Sequence, residues 1–204
     1  MKKTHVGLLV FAAALALASC ETLPPWKSMP TGSSAVYGQI QDFRRALSFV
    51  AYSDDPGIIA VTVENREGFY SSRYGMIIDQ PARNAIRDTL VKYQDWARLA
   101  EDNKVEITKE ITTVTLPQIL MRRNGWEGEG ERQVTFVFSA RMSGPSDAPR
   151  TTLVMRTRSF FYGSDQITLT DQQAGDFYNY LKDEEIDVGY QQAKKKQDAL
   201  EMFK

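Results

Sequence analysis

Val36, Ile40, Phe43, Leu47 and Val50 recur at steps of four and three, a spacing that gathers side chains on one helix face, with Ser33 or Ser34 placed to cap it. Gly38 weakens that helix, and LSFVAY fits a strand as well. Asp54-Asp55-Pro56-Gly57 has turn chemistry, and IIAVTVEN then sets Ile59, Val61 and Val63 on one side of a strand. NREG turns, and YSSRYGMII returns as its partner. Asp79 followed by Pro81 opens a helix whose apolar stripe is Ile86, Leu90, Tyr93, Ala97 and Ala100, ending near Asn103. Its polar face carries Arg83, Arg87, Lys92, Asp95 and Arg98.

Beyond Lys104 the period changes to two. VEITKEITTVTL is a Thr-, Val- and Ile-rich strand in which Pro117 marks an edge or a bend. Asn124–Glu131 reads as a turn region. After it Val134, Phe136, Phe138, Ala140 and Met142 alternate with Thr135, Val137, Ser139, Arg141 and Ser143. SGPSDAP is a hairpin loop, TTLVMRTRSFFY the next strand and QITLT a short last one. Thr170 and Gln173 fit a capping box ahead of Ala174, Phe177, Tyr178 and Leu181, and a final helical segment from about Tyr190 carries Ala193, Leu200 and Phe203. The pattern predicts an α+β fold, a mainly antiparallel sheet with helices packed on one face, in a single domain over 36–204.

The N-terminal pattern is different. Lys2 and Lys3 precede an uncharged apolar run from Val6 to Ala18, too short for the ~20 residues that span a bilayer core and of the length of a secretory signal. It ends in Leu17-Ala18-Ser19-Cys20, and Cys20 is the one cysteine of the chain. This stretch resembles the lipobox of bacterial lipoprotein precursors, and the resemblance covers about the first twenty residues. It implies cleavage after residue 19, acylation of Cys20 and attachment to a bilayer through that lipid. Glu21, in place of the Asp that resembles an inner-membrane retention signal, points to the outer membrane. Residues 20–35, with Pro24, Pro25, Pro30 and a Ser/Thr/Gly run, read as the anchor and a flexible tether.

Composition narrows the chemistry. The chain has 25 basic and 26 acidic residues, and losing Lys2 and Lys3 leaves a small acidic excess, so nothing points to nucleic acid as a partner. The one histidine, His5, lies within the signal. A mature chain without imidazole or free thiol lacks the Ser-His-Asp and Cys-His nucleophile systems and the His/Cys ligand sets of zinc and copper. We therefore expect no cofactor, no metal site and no enzymatic activity.

Four stretches are candidate sites. Glu127, Glu129 and Glu131 alternate with glycine in GWEGEGER; carboxylates at that spacing suit calcium, yet the twelve-residue calcium pattern is not met, so a soluble hairpin loop is expected. Asp183-Glu184-Glu185 with Asp187 resembles half of a carboxylate pair, or simply a solvated surface. Lys194-Lys195-Lys196 suits either anionic headgroups or the wet face of the last helix. RTRSFFYG sets Arg156, Arg158, Phe160 and Tyr162 on one strand face, with Met155, Thr157, Ser159 and Phe161 on the other; this is the candidate binding surface, against the plainer reading of arginine stems packed over a sheet rim.

These features lead to a lipid-anchored envelope protein with a non-enzymatic domain that binds another envelope component or serves as an accessory factor. A carrier of a small hydrophobic ligand is the alternative, and a carboxylate-based cell-wall hydrolase ranks third.

Overall fold

The computed structural model describes residues 30, 32–41, 45–65, 73–122, 125–142, 149–159 and 163–203. Eight strands form one antiparallel sheet in which chain order is sheet order. They are β1 (Ser34–Gln41), β2 (Arg45–Tyr52), β3 (Asp55–Asn65), β4 (Arg73–Ile78), β5 (Ile107–Arg122), β6 (Gly125–Met142), β7 (Pro149–Ser159) and β8 (Gly163–Leu169). Helix α1 (Gln80–Asn103) joins β4 to β5, and α2 (Asp171–Tyr180) and α3 (Asp183–Glu201) follow β8. This is the single-domain α+β fold expected, with the helices on one face. None of the described helices is long and apolar enough to cross a membrane.

The first expected helix is instead the β1–β2 hairpin. Ile40 and Leu47 are direct cross-strand partners, so a short connection places residues seven apart side by side, as two turns of helix would. Leu47 and Val50 then fall on opposite faces, because a strand alternates. Phe43 lies outside the described residues. A Cβ on Gly38 would come within 2.5 Å of the Tyr180 ring, so this glycine lets α2 approach β1. The strand starts at Ser34, and Ser33 before it caps nothing: its backbone N–H and hydroxyl reach Gln197 Oε1 of α3 at 3.2 and 2.8 Å.

Helix α1 follows its signals. The Asp79 carboxylate accepts from the Ala82 N–H at 3.0 Å, proline sits in the first turn, and Lys104 closes the end in the left-handed region. Arg83, assigned above to the wet face, is instead buried between the start of α1 and Asp183 of α3, with which it pairs at 2.9 Å. The Thr170–Gln173 capping box forms as expected. Helix α3 begins seven residues earlier than Tyr190, so Asp183, Glu184 and Glu185 occupy its first turn, where carboxylates offset the positive end of the helix dipole. Ala193 of α3 is buried, Lys194, Lys195 and Lys196 are exposed, and Leu200 and Phe203 are exposed rather than part of the core.

GWEGEGER is strand rather than loop. It opens β6, and Glu127 and Glu131 lie opposite Leu120 and Pro117 of β5. Between those pairs β6 holds one more residue than β5, and Gly130, at φ +81°, takes up the bulge. Pro117 falls just beyond the part of β5 that pairs with β4, at a point where its missing N–H leaves the ladder intact.

The sheet curls strongly around its helix-bearing face. The Arg45 guanidinium of β2 reaches the Asp165 carboxylate and the Gln166 carbonyl of β8, although β2 and β8 are far apart in sheet order. Helix α1 lies over β4–β7, α3 over β1–β3, and α2 touches β1 as well as β7 and β8, bridging the two edges. The inner core is continuous through all eight strands and all three helices. Phe49 stacks edge-on with Phe177 at 5.2 Å between ring centroids, and Phe138 meets Tyr93 and Trp96 at 5.7 and 5.9 Å.

Candidate functional site

Arginines stand on both faces of the β6–β8 sheet, and the two faces treat them differently. On β7 the odd residues Thr151, Leu153, Met155 and Thr157 are buried toward the helices. Arg150, Arg156 and Arg158 point the other way and are exposed. Arg156 lies between Thr135 and Gln166, and Arg158 between Gln133 and Ser164, so neither has an acidic cross-strand neighbour. Arg141 of β6 is paired directly with Arg150. Like charges opposed in this way cost stability in an isolated sheet. None of these four arginines makes an ion pair among the described residues. Phe160, Tyr162 and Cys20 lie outside the described residues, so the aromatic half of the expected surface is not placed beside its arginines.

The outer face changes character across the sheet. Over β2–β6, Val50, Tyr52, Ala60 and Ile119 form a small second core with Ile77 and Trp126 packed against it. Burial, with the Asp54 carboxylate nearby, pushes the Tyr52 phenol up to about 12. Over β6–β8 the same face carries the arginines among Thr, Ser and Gln.

The inner face holds a polar cluster that the sequence reading missed. Arg132 of β6 is 3% exposed. Its Nη1 donates to Thr157 Oγ1 at 2.8 Å and its Nε to Gln118 Oε1 at 3.4 Å. The guanidinium lies 3.9 Å from the centroid of the Tyr74 ring. Tyr74 in turn donates to Asp165 Oδ2 at 2.9 Å, and Asp165 pairs with Arg45. Burial, with the Asp165 charge beside it, pushes the Tyr74 phenol up to about 12, against the opposing pull of Arg132. Every hydrogen bond from Arg132 thus ends on a neutral oxygen, and among the described residues no carboxylate lies within ion-pair distance of it. Gln118 is fully buried, and its Nε2 has no hydrogen-bond partner.

The signal for this cluster was present in the alternation. Extending the inner-face series Val134, Phe136, Phe138 and Ala140 back by one step reaches Arg132, and extending Leu116 forward by one step reaches Gln118. A charge in phase with an apolar face was the clue. The Gly130 bulge sits just before Arg132, as bulges do where a side chain is re-aimed.

No family model, curated protein or solved structure matches this chain. Among the described residues, no three His, Cys, Asp or Glu side chains are grouped as metal ligands.

Proposed function

We propose that this chain is a lipid-anchored protein of the bacterial cell envelope, acylated at Cys20, whose domain binds another envelope component without catalysing a reaction. The anchor rests on the ordered Lys2-Lys3, apolar run and Leu-Ala-Ser-Cys of the N-terminus, with the outer membrane as its destination. The binding role rests on one observation: the outer face of β6–β8 carries Arg141, Arg150, Arg156 and Arg158 without an ion pair among the described residues. Arginine is enriched in protein interfaces, and charge of one sign steers a partner of the other. The partner class is a protein presenting an acidic surface. The carrier alternative has less support, because Leu47, Phe49, Phe136, Phe138 and Phe177 all belong to one continuous buried core.

Photo-crosslinking in intact cells tests both halves. A crosslinker at position 156 or 158 should capture a specific envelope protein, and one at exposed Glu101 on α1 should not. Cys20→Ser should release the chain from the membrane fraction. Failure to capture any partner, or unchanged membrane sedimentation of the Ser variant, overturns the corresponding half.

A further inference from the structure

A buried guanidinium surrounded by neutral groups is an expensive arrangement. Removing a charge from water costs several kcal/mol unless an opposite charge and hydrogen bonds replace the lost hydration. Arg132 has the hydrogen bonds to Thr157 and Gln118 and the ring of Tyr74, but among the described residues no anion within ion-pair distance. Asp165, the carboxylate of this cluster, is engaged by Arg45 and by the Tyr74 hydroxyl. The second, independent observation is Gln118. Its carbonyl is turned to Arg132, and its amide N–H₂, wholly buried, donates to nothing. A fork of guanidinium N–H donors beside a free amide donor lacks one thing, an acceptor with negative charge.

We propose that the inner face of β5–β6 is an oxyanion site, in which a carboxylate or phosphate group is held by Arg132 and by Gln118 Nε2. Arg132 supplies the charge. Thr157 and the Tyr74 ring fix its plane, and Gln118 adds a second donor, so that a group with two or more oxygens is held at more than one of them. The ligand group is small, because apolar side chains fill the surrounding face: Leu116, Val134 and Met155 are each at most 2% exposed. The group is either a free ion or the head of an amphiphile. This site lies on the face opposite Arg156 and Arg158, so its failure leaves the partner-binding reading untouched.

Thermal unfolding of the full chain tests the site at constant ionic strength, with chloride as the reference salt. Three probes separate the sources: sodium acetate, sodium phosphate, and oleate below its critical micelle concentration. We expect a saturable rise in Tm with at least one of them. A rise with acetate or phosphate assigns a free ion, and one with oleate alone assigns an amphiphile head. Arg132→Met should abolish the rise, Gln118→Met should weaken the apparent affinity about tenfold, as the loss of a charge-assisted hydrogen bond does, and Arg156→Ser should leave it unchanged. If Arg132→Met does not fold, the Gln118→Met titration carries the test alone. No rise beyond chloride with any probe, or a rise of equal affinity in Gln118→Met, overturns the proposal.

Discussion

Arg132 and Arg156 stand on adjacent strands of one sheet and differ in almost everything but side-chain type. Arg132 faces inward at 3% exposure, bonded to Thr157 and Gln118 and stacked on Tyr74. Arg156 faces solvent between Thr135 and Gln166. What separates them is strand parity: adjacent residues of a strand point to opposite faces, and only one face here is covered by helices. An inner arginine must have its charge answered within the protein or by a ligand, whereas water answers an outer one. On the readings proposed here, the same residue type marks an internal site on one side and an interaction surface on the other.

The sharpest way to break this contrast is a pair of neighbouring substitutions in β6. Phe136→Ala, on the inner face, should cost about 3–5 kcal/mol in chemical denaturation, since a fully buried ring leaves a cavity. Thr135→Ala removes an exposed hydroxyl that meets Thr113 at 2.8 Å, and should cost about 0.5 kcal/mol. Comparable losses would mean that both faces are covered.

Alkali probes the same division through the tyrosines. Tyr37, Tyr52, Tyr74 and Tyr93 are all raised above the ordinary phenol value of 10.0, with burial as the leading cause in each. The unfolded chain loses these protons near 10, while the folded chain still holds them, so unfolding gains free energy as pH rises. Stability should be level up to about pH 9.5 and fall from about 10 to 12, by on the order of a few kcal/mol in all. Phenolate absorbance at 295 nm recorded alongside unfolding checks it, and titration of every tyrosine near 10 with no loss of stability contradicts the buried placement.

Two helix glycines sharpen the comparison of inner and outer surfaces further. A Cβ on Gly189 of α3 would lie 2.5 Å from the Tyr37 ring, whereas one on Gly175 of α2 meets nothing within 4 Å. Gly189→Ala should destabilise by about 1–3 kcal/mol through overpacking. Gly175→Ala should stabilise by about 0.5–1 kcal/mol through helix propensity. Both are read as shifts in the denaturation midpoint. The smallest expected change is the double variant Arg156→Ser/Arg158→Ser, whose stability should stay within about 0.5 kcal/mol of the parent. A large loss there would show those side chains to be structural.

Much of the α+β architecture was legible because its signals are local. The Asp79-Pro81 start of α1, the Thr170 capping box and the alternation of β6 each act within a few residues, and each appears as read. The misreadings share a cause. Ile40 and Leu47 carry helical spacing that a short hairpin turns into a cross-strand pair, and the glycines of GWEGEGER serve a bulge instead of a loop. In both cases an identical local pattern suits two conformations, and long-range pairing chooses between them. The candidate sites divide in the same way. Arg156 and Arg158 stand out in the sequence as a charged, aromatic-flanked strand, whereas Arg132 lies one step before Val134, where the apolar series begins, and only its burial sets it apart from a surface arginine.

By itself, the sequence determined the resemblance at Cys20, the scarcity of imidazole and thiol, the helix caps and the phase of the longest strands, all of which depend on composition or on neighbours along the chain. Tertiary structure alone decided that the sheet curls until β2 meets β8, that α2 bridges its edges, and that Tyr74, Gln118, Arg132, Thr157 and Asp165 converge. Those residues come from five strands, and no pattern short of the complete strand register brings them together. Burial, which makes the charge on Arg132 consequential, is a property of the packed molecule and not of any segment of it.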